Sequence, residues 1–557
     1  MKKLFGKSIL LLICLILCFT ACSGDDVISD TSESTEALDT SPYTLNIDGY
    51  TVVYPDTAMP ELKKHLEVFC NLLRKYTGAD IKLSTDAESC GEKEILLDYT
   101  DREETERAYS KLKKAALDFG KFIITNEGEK IVILGETEGA TVRAMKHFLM
   151  NYAKGCTEEN AVDFYKGNTE IDVVNVNSII FDNFTEFSIE HTSEVTSLQS
   201  SQSSNAIVFS YESVIELAHN GEHNGTLIAT YSTYRGPAGA RIHRSTDGGK
   251  TWKYISTAYN NISTTKVRQN MQASLFELPR DMGKFKEGTL FLADSSYSTN
   301  AQGEETTAIA LYYSTDLGSM WYSYCTLKTG LNYNVHLGVY EPFLYYDEAT
   351  RRVYCFYADE TEPKASPGVQ KLVCHYTEDM ENWSETVDVI NGDHTTWRPG
   401  MPNVTKMGNG EYFLVYEIYE ETMGAPIYYQ KIKSLNEFDT KNYGTILEST
   451  DGKRLSASPW CAWTPEGGEC GTLIVVACGM HKSKALWGQS DMFVSFDYGE
   501  TFTAIRNPIF VSSNNIWKIG YSPWVGFSED GRTLHYMNNT ADYDCKVSVM
   551  YSRIKIW

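Results

Sequence analysis

The spacing of apolar residues divides the chain into two parts with different patterns. Up to about Lys154, short apolar runs alternate with stretches at helical spacing, which predict helices at 59–77 and from Gly139 onward and strands at 50–54, 81–83, 94–98, 122–125 and 130–134. From about Ile179 to Trp557, aromatic and β-branched strands dominate and turns rich in Gly, Asp and Asn recur. We therefore expect a small α+β domain, residues 43–175, followed by an all-β domain, residues 179–557.

A repeated turn motif predicts the architecture of the all-β part. Residues 245–252 read Ser-Thr-Asp-Gly-Gly-Lys-Thr-Trp, and 495–502 fit the same pattern; 314–321 depart from it at Met320, and 377–383 are a shortened relative. In this Asp box the Ser and Asp side chains bond backbone N–H groups, the Gly takes a positive φ, and the aromatic side chain is buried. The boxes recur after 69, 63 and 118 residues, the last close to two steps. This period predicts a β-propeller of about six blades.

The first residues have the composition of an export signal. Two lysines precede an apolar run from Ser8 to Thr20, which is too short to span a bilayer. The run that ends at Cys22 resembles a bacterial lipoprotein signal, which implies removal of 1–21, acylation of Cys22 and an extracytoplasmic, lipid-anchored protein at the cell surface or in the periplasm. An ordinary secretory signal is the alternative. Residues 22–42, rich in Ser, Thr, Asp and Glu, predict a flexible tether.

The formal charge of −24 argues against nucleic acid or an anionic membrane surface as a partner, because both bind clustered Lys and Arg. A neutral polymer or a cation-tolerant substrate fits this charge better, and the partner that we expect is an oligosaccharide or polysaccharide. The cysteines lack CxxC spacing and no His stands at zinc-finger distance, so we expect no metal site and no cofactor. We expect a monomer whose only membrane contact is its lipid anchor.

The α+β domain resembles the N-terminal domain of some hexosaminidases and glucuronidases. The similarity rests on the pattern of elements and on the helix that follows Gly-Glu-Thr-Glu-Gly at 135–139. It implies a scaffold, and we assign this domain no chemistry.

Two glutamates of the all-β part stand in apolar strand sequence. Glu341 lies within Val-Tyr-Glu-Pro-Phe-Leu and Glu417 within Phe-Leu-Val-Tyr-Glu. A carboxylate in such a run is costly unless it is paired or used in chemistry. From the residues alone, each glutamate is either catalytic or an ordinary strand residue that is exposed or salt-bridged.

Asp-box propellers include sialidases, other glycosidases and non-catalytic proteins, so the fold alone does not choose a function. A sialidase holds the carboxylate of its sugar with three arginines and carries a Phe/Tyr-Arg-Ile-Pro motif in the first blade. Here the corresponding residues, 228–237, read Ile-Ala-Thr-Tyr-Ser-Thr-Tyr-Arg-Gly-Pro. An exo-sialidase is therefore disfavoured, and it stays an alternative together with a non-catalytic, glycan-binding surface lipoprotein.

Several segments together resemble glycoside hydrolase family 93, the exo-α-1,5-L-arabinanases. They are Met-Gln-Ala-Ser at 271–274, Tyr-Glu-Pro-Phe-Leu at 340–344, Trp-Arg-Pro-Gly-Met-Pro at 397–402, Val-Tyr-Glu at 415–417 and Ser-Pro-Trp at 458–460. The resemblance covers most of the propeller and none of the α+β domain. It implies a sialidase-like, six-bladed fold and retaining hydrolysis by two glutamates that match Glu341 and Glu417. We expect Glu417 as nucleophile and Glu341 as acid/base, and the exchanged assignment is the alternative.

Five further residues are candidates for sugar binding. Arg398 would contact a sugar hydroxyl or carboxylate, and its alternative role is a salt bridge that closes the blade. Arg235, His336, Trp463 and Tyr521 stand in loops or at strand ends, where a side chain contacts a sugar or simply packs. The leading hypothesis is a cell-surface, exo-acting, retaining glycoside hydrolase that acts on α-L-arabinan or arabino-oligosaccharides.

Overall fold

The computed structural model describes most of the chain between residues 42 and 557. The described residues are 42–117, 120–165, 169–173, 178–199, 209–233, 239–259, 266–299, 303–331, 337–362, 369–391, 397–419, 424–481, 491–511, 519–541 and 546–557. The predicted export signal and Cys22 lie outside them. None of the helices in these ranges combines the length and the apolar composition that a membrane span needs.

The N-terminal part is an α+β domain of three helices and eight strands. Its elements are β1 (Pro42–Asn46), β2 (Thr51–Tyr54), α1 (Pro60–Thr77), β3 (Lys82–Thr85), β4 (Glu94–Leu97), α2 (Glu103–Lys114), β5 (Lys121–Glu127), β6 (Lys130–Gly135), α3 (Glu138–Phe148) with a π-helical turn at Leu149–Ala153, β7 (Ala161–Tyr165) and β8 (Thr169–Val173). Six strands form one sheet in the order β3-β2-β4-β6-β5-β8, and β1 pairs with β7.

The helix α1 has the sequence signals of a helix with one buried face. Pro60 stands in its first turn, where no intrahelical N–H is needed, and Gly78, with φ 82°, ends it by donating its N–H to the Arg74 carbonyl. Four apolar residues at helical spacing face the sheet: Leu62, Leu66, Phe69 and Leu73. Both α1 and α3 therefore pack on the same side of the sheet.

The helix α2 is the one that the apolar pattern does not predict. Of its twelve residues only Thr105, Ala108 and Leu112 are buried, and they pack on the opposite face of the sheet. So few apolar contact positions leave almost no helical period in the sequence.

The remaining described residues form a second domain made almost entirely of strands. They are β9 (Ser178–Ile180), β10 (Glu186–Gln199), β11 (Phe209–Glu216), β12 (Leu227–Thr233), β13 (Ala240–Ser245), β14 (Lys253–Ala258), β15 (Lys266–Glu277), β16 (Leu290–Thr299), β17 (Glu305–Ser314), β18 (Tyr322–Leu331), β19 (Val339–Asp347), β20 (Arg352–Asp359), β21 (Lys371–Thr377), β22 (Val387–Ile390), β23 (Arg398–Lys406), β24 (Tyr412–Tyr419), β25 (Ile427–Ile432), β26 (Thr445–Ile446), β27 (Arg454–Ser456), β28 (Trp460–Thr464), β29 (Thr472–Val476), β30 (Gly479–His481), β31 (Asp491–Ser495), β32 (Thr503–Arg506), β33 (Trp524–Phe527), β34 (Thr533–Ala541) and β35 (Lys546–Ile556).

These strands make a six-bladed β-propeller, as the Asp-box period predicts. Blades 1 to 4 are the antiparallel sheets β11–β14, β15–β18, β19–β22 and β23–β26; blade 5 is β28-β29-β31-β32, and blade 6 is β33-β34-β35-β10 with β9 at its edge. Blade 6 closes the ring, because β10 comes from the start of the domain and pairs with β35 from its end, between Phe187↔Ile556 and Gln199↔Lys546. This pairing leaves no open edge between the first and last blades.

Each Asp box forms the turn between the third and fourth strands of its blade. In the box of blade 1, Gly249 N donates to Ser245 Oγ at 2.9 Å, and Thr251 N and Oγ1 donate to the two oxygens of Asp247 at 3.0 and 2.6 Å. A Cβ on Gly249 would lie 2.1 Å from Cε1 of Tyr551 in blade 6, so only glycine fits. The box therefore braces two blades.

The α+β domain packs against the outer strands of the propeller through charged and apolar contacts. Lys146 Nζ lies 2.7 Å from Glu186 Oε2, and Arg143 donates to the Ser178 carbonyl at 2.9 Å. Phe184, in the turn between β9 and β10, is buried in the core of the α+β domain. The α+β domain therefore contacts the outer side of the propeller, and the inner strands of the six blades surround its axis.

Candidate active site

A residue with positive φ interrupts the innermost strand of blades 1 to 4 and stands just before the innermost strand of blades 5 and 6. In blades 1 to 4 this residue lies in a β-bulge, where the cross-strand register shifts. Positive φ is rare for residues other than glycine, and bulges redirect the side chains beside them. The six residues are Tyr211 (φ 54°), Gln272 (59°), Glu341 (64°), Met401 (53°), Ser458 (55°) and Ser522 (64°).

For three of these residues, Gln272, Glu341 and Ser458, the backbone N–H donates to a side chain on the second strand of the preceding blade. Ser232 Oγ accepts from Gln272 N at 2.8 Å, and Ser295 Oγ accepts from Glu341 N at 3.0 Å. Glu417 stands at the same position of blade 4, opposite Gly400, and its Oε2 accepts from Ser458 N at 2.6 Å. The repeat therefore supplies Glu417 with a fixed backbone donor.

Blade 3 departs from this pattern in a way that holds the other glutamate. Its second strand has Ala358 at the position of the acceptor, paired with Tyr340, and a methyl group accepts no hydrogen bond. The N–H of Met401 instead donates to Glu341 Oε2 at 2.7 Å. Each glutamate is thus oriented by the N–H of a residue with positive φ from the next blade.

The two carboxylates meet at Gly400. A Cβ on this glycine would lie 3.0 Å from Glu341 Oε2 and 3.7 Å from Glu417 Oε1. The two oxygens are therefore separated by less than the sum of these distances, and a side chain at position 400 would stand between them. Absence of a side chain here lets two blades bring their glutamates together.

Both carboxyl groups are buried, and burial raises the pKa of each above its ordinary value. The negative charges of Glu417 and Glu360 raise the pKa of Glu341 further. Backbone donors and the Arg398 guanidinium act in the opposite direction on both glutamates. The pair therefore retains a proton more readily than free carboxyl groups do. The negative charges around Glu341 favour Glu341 as the carboxyl group that carries this proton.

Gln272 fixes the backbone and the carboxylate of Glu341. Its Oε1 accepts from Glu341 N at 3.0 Å, while its Nε2 lies 3.5 Å from Glu341 Oε1 and donates to Tyr211 Oη at 3.1 Å. Such contacts to both ends of one residue restrict its side chain to one orientation.

Arg398 lies at the opposite side of the pair. One of its terminal nitrogens, Nη2, is 2.7 Å from Glu360 Oε1 and 3.1 Å from Gln370 Oε1. Glu360, whose side chain is fully buried, also accepts from Tyr340 Oη at 3.0 Å. The predicted salt bridge is therefore present, and the Arg398 side chain is still about one-third exposed.

Tyr521 and Tyr211 close another side of the site. Their rings are T-shaped, with centroids 5.3 Å apart. Burial raises the pKa of Tyr521 well above its ordinary value, and the charges of Glu417 and Glu341 act in the same direction, so its phenol stays neutral near both glutamates.

A cavity of about 390 Å³, open to solvent, lies over Glu341. The described residues that line it come from all six blades. They are Tyr211, Glu212, Gln272, Ala273, Ser274, Glu341, Pro342, Phe343, Met401, Pro402, Ser458, Pro459, Trp460 and Ser522.

The structure brings Arg398 and Tyr521 beside the two predicted glutamates. Arg235 and His336 lie outside the described residues. Sequence reasoning assigned no role to Gln272, Gly400 or Glu360. The first two stand within the segments that resemble family 93, but their importance depends on contacts between blades.

Trp463 is not brought to the glutamates. It lies in the core between blades 4 and 5, where a Cβ on Gly408 or Gly471 would be within 3 Å of its ring. Its Nε1 donates to the Cys470 carbonyl at 3.0 Å. The bonded indole and the close glycine backbones give Trp463 a packing role.

The described residues include one group that could hold a metal ion, outside this cavity. Glu61, His65 and Asp182 offer ligand atoms within 4.8 Å of one another. The ammonium of Lys64 lies 3.0 Å from Glu61 Oε2 and already balances part of the charge. We assign this group no role in the chemistry of the propeller.

Comparison with known proteins agrees with the six-bladed fold. No family model matches the chain, and no curated protein matches it. Among solved structures, the α-L-arabinanase of Penicillium chrysogenum complexed with arabinobiose is 31% identical, with a TM-score of 0.51, and the match covers 64% of this chain and 98% of that one. The family 93 α-L-arabinofuranosidase of Fusarium graminearum with arabinobiose is 27% identical, with a TM-score of 0.52, over 65% and 98% of the two chains. Identity of 31% across nearly the whole of a relative, on a six-bladed propeller with two facing glutamates, shows that the chain belongs to glycoside hydrolase family 93.

Proposed function

We propose that this protein is an exported, exo-acting, retaining glycoside hydrolase that releases arabinose or arabinobiose from α-L-arabinan and arabino-oligosaccharides. The observation that carries the proposal is the meeting of two carboxylates, the buried Glu417 and the half-buried Glu341, at the bare backbone of Gly400. Retaining glycosidases hold their carboxyl groups about 5 Å apart, whereas inverting enzymes need roughly 6.5–9.5 Å to admit a water molecule. The contacts at Gly400 bring one oxygen of each carboxylate toward a single position, which is compatible with the closer, retaining arrangement.

In the first step, the Glu417 carboxylate attacks the anomeric carbon while Glu341 gives its proton to the glycosidic oxygen. The bond between the anomeric carbon and the glycosidic oxygen breaks, and the leaving sugar departs as an alcohol. A glycosyl ester forms on Glu417. In the second step, Glu341 takes a proton from water, whose oxygen attacks the anomeric carbon and frees Glu417. The higher density of negative charge around Glu341 supports its role as the group that carries the proton.

The substrate class is supported by the relatives and by the cavity wall. Both relatives described above were solved with arabinobiose. No arginine is among the described residues that line the cavity, which suits a neutral sugar better than an acidic one.

The direct test is incubation of the purified chain from Cys22 onward with debranched arabinan, arabino-oligosaccharides and sialyl-lactose. Chromatography should show arabinose or arabinobiose from the first samples, without intermediate oligosaccharides. Proton NMR during the first minutes should show the product in the anomeric configuration of the substrate. Release of sialic acid instead would favour the sialidase alternative, and an inverted product would exclude the covalent step on Glu417.

The predicted location is a separate part of the proposal. Export and acylation at Cys22 would place the propeller outside the cytoplasm, with residues 22–42 between it and the lipid. Expression in a bacterial host with a labelled fatty acid tests this, since the label should enter the wild-type chain and be absent from Cys22→Ser.

A further inference from the structure

Glu212 is the one residue at its position in the repeat that carries a carboxyl group. It directly follows the positive-φ residue of blade 1. In the other five blades this position has no side chain that forms hydrogen bonds, and the residues there are Ala273, Pro342, Pro402, Pro459 and Pro523. The fold itself therefore does not require a polar group at this place.

The carboxyl group of Glu212 contacts the N–H of its own backbone and accepts one hydrogen bond from another residue. Oε1 accepts from Asn539 Nδ2 at 2.9 Å, whereas Oε2 has no hydrogen-bond partner among the described residues. The residue is 2% exposed, and it lines the same cavity as Glu341. A buried oxygen without a partner costs about 1–3 kcal/mol, so a retained one calls for an explanation.

The surroundings indicate what kind of group would bind Oε2. Burial raises the pKa of Glu212 to about 8, so the carboxyl group is largely protonated at neutral pH and both donates and accepts. The hydroxyl groups of a neutral sugar have the same dual capacity. A hydroxyl in the cavity thus satisfies Glu212 in either protonation state.

We propose that Glu212 determines specificity by forming a hydrogen bond with one ring or exocyclic hydroxyl of the sugar held over Glu341. The inference rests on the proposed function, because it names a contact to the same sugar. Hydrogen bonds to substrate hydroxyls discriminate strongly in enclosed sites, since an analogue without the hydroxyl leaves the protein group unpaired.

The test compares wild type and Glu212→Leu on an aryl α-L-arabinofuranoside and on its 2-deoxy, 3-deoxy and 5-deoxy analogues. For the parent sugar we expect kcat/KM to fall about 10- to 100-fold when the carboxyl group is replaced by the apolar side chain of Glu212→Leu, as for the loss of a hydrogen bond to a carboxyl group. For one deoxy analogue, wild type and variant should be nearly equal, because the partner hydroxyl is missing in both cases. Melting temperatures of both proteins show that they remain folded.

The matched control is Asp347→Asn, which changes a buried carboxyl group in the turn after β19. Asp347 is bonded by Tyr412 and by backbone N–H groups of its own turn, and it does not line the cavity. This variant should lower kcat/KM for all four sugars by the same small factor, if at all.

The possible failures differ. If wild type cleaves the parent sugar and Glu212→Leu changes kcat/KM for all four sugars equally, or for none, Glu212 has only a structural role. If wild type cleaves none of the sugars and none of the arabino-oligosaccharides, the proposed function fails and the inference about Glu212 fails with it.

Discussion

The inner strands, with their positive-φ residues, and the outer Asp boxes both recur around the propeller. Side chains recur in the boxes, whereas backbone conformation recurs along the inner strands. In the boxes the side chains recur: Ser245, Ser314 and Ser495 each bond the Asp two residues on and the Gly four residues on. Along the inner strands the backbone conformation recurs, with one positive-φ residue of this set in every blade, while the side chains of these residues are Tyr, Gln, Glu, Met and Ser. Repetition of side chains marks structural bracing, and repetition of backbone with varied side chains marks a site.

Glu417 shows how one blade acquires a function from a structural position. In blades 1 and 2 a serine at this position bonds the N–H of the next blade. Glu417 makes the same bond in blade 4 and has a second carboxylate oxygen, which faces Gly400. One oxygen of Glu417 thus makes the structural hydrogen bond that a serine makes in blades 1 and 2. The other oxygen is available for the chemistry.

The largest expected effect is on catalysis and falls on the two glutamates. We expect Glu417→Gln to lower kcat on arabino-oligosaccharides by about 10⁴-fold or more, because it removes the nucleophile. Glu341→Gln should cost a similar factor on these substrates but much less on an aryl arabinofuranoside, whose leaving group needs no proton. Steady-state kinetics of both variants on both substrates measures this difference.

If the two variants show the reverse dependence on the leaving group, the roles of Glu341 and Glu417 are exchanged. Full activity of both variants would contradict the site itself. A suitable control is Glu437→Gln, an exposed glutamate after β25, which should keep wild-type rates.

Gly400→Ala should produce the next largest effect. A methyl group at this position would lie 3.0 Å from Glu341 Oε2 and 3.7 Å from Glu417 Oε1, in the space of the reacting carbon. We expect kcat/KM to fall about 10²-fold or more with little change in melting temperature, because a misplacement of this size near reacting groups is costly. Gly410→Ala, where a Cβ would have no contact within 4 Å, is the comparison variant, although its positive φ adds some strain.

The comparison between the Asp boxes and the inner strands also explains which features of the molecule can be predicted from the sequence. The side-chain repeat of the boxes predicts the blades and their number, but it does not predict that β10 closes blade 6. The two glutamates are predictable from their apolar context and their resemblance to family 93. Gln272, Gly400 and Glu360 act through contacts between blades that no local pattern contains.

A second repeat in the sequence could have located the inner ring. The tripeptides Tyr-Glu-Ser, Gln-Ala-Ser, Glu-Pro-Phe, Met-Pro-Asn and two Ser-Pro-Trp begin at positions 211, 272, 341, 401, 458 and 522. Their spacing is close to the period of the boxes, and proline or alanine fills the second place in five of them. Glu212 is the exception, and the repeat makes it conspicuous from the amino-acid sequence alone.

The pH dependence of stability is a smaller expected effect, and it also distinguishes the inner strands from the Asp boxes. Because the pKa of Glu341 and of Glu417 is raised in the native state, the native protein binds more protons than the unfolded chain above the ordinary carboxyl pKa of about 4.3. The free energy of unfolding therefore falls as pH rises from that value through the native pKa values. Glu341→Gln and Glu417→Gln remove this loss, so each variant should be about 1–3 kcal/mol more stable than wild type at pH 7.

The gain should shrink toward zero near pH 4, where the unfolded carboxyl group is itself protonated. Urea unfolding of wild type and both variants at a series of pH values measures it. A variant less stable than wild type at pH 7 would show that these carboxyl groups stabilise the fold rather than strain it.

The smallest expected effect is that of an Asp box, and it should appear only in stability. Asp247→Ala removes the acceptor of Thr251 N and Thr251 Oγ1 in a turn that packs against blade 6. We expect the free energy of unfolding to fall by about 1–2 kcal/mol, as for the loss of a capping side chain. The pKa of Asp247 is lowered to about 2 by these same bonds, so its contribution is present above the ordinary aspartate pKa and is lost as pH falls toward 2. Turnover per folded molecule should equal that of wild type, because the box only braces the inner ring. A change in kcat/KM beyond a few-fold, at a temperature where Asp247→Ala is fully folded, would show that the outer turns also tune the site.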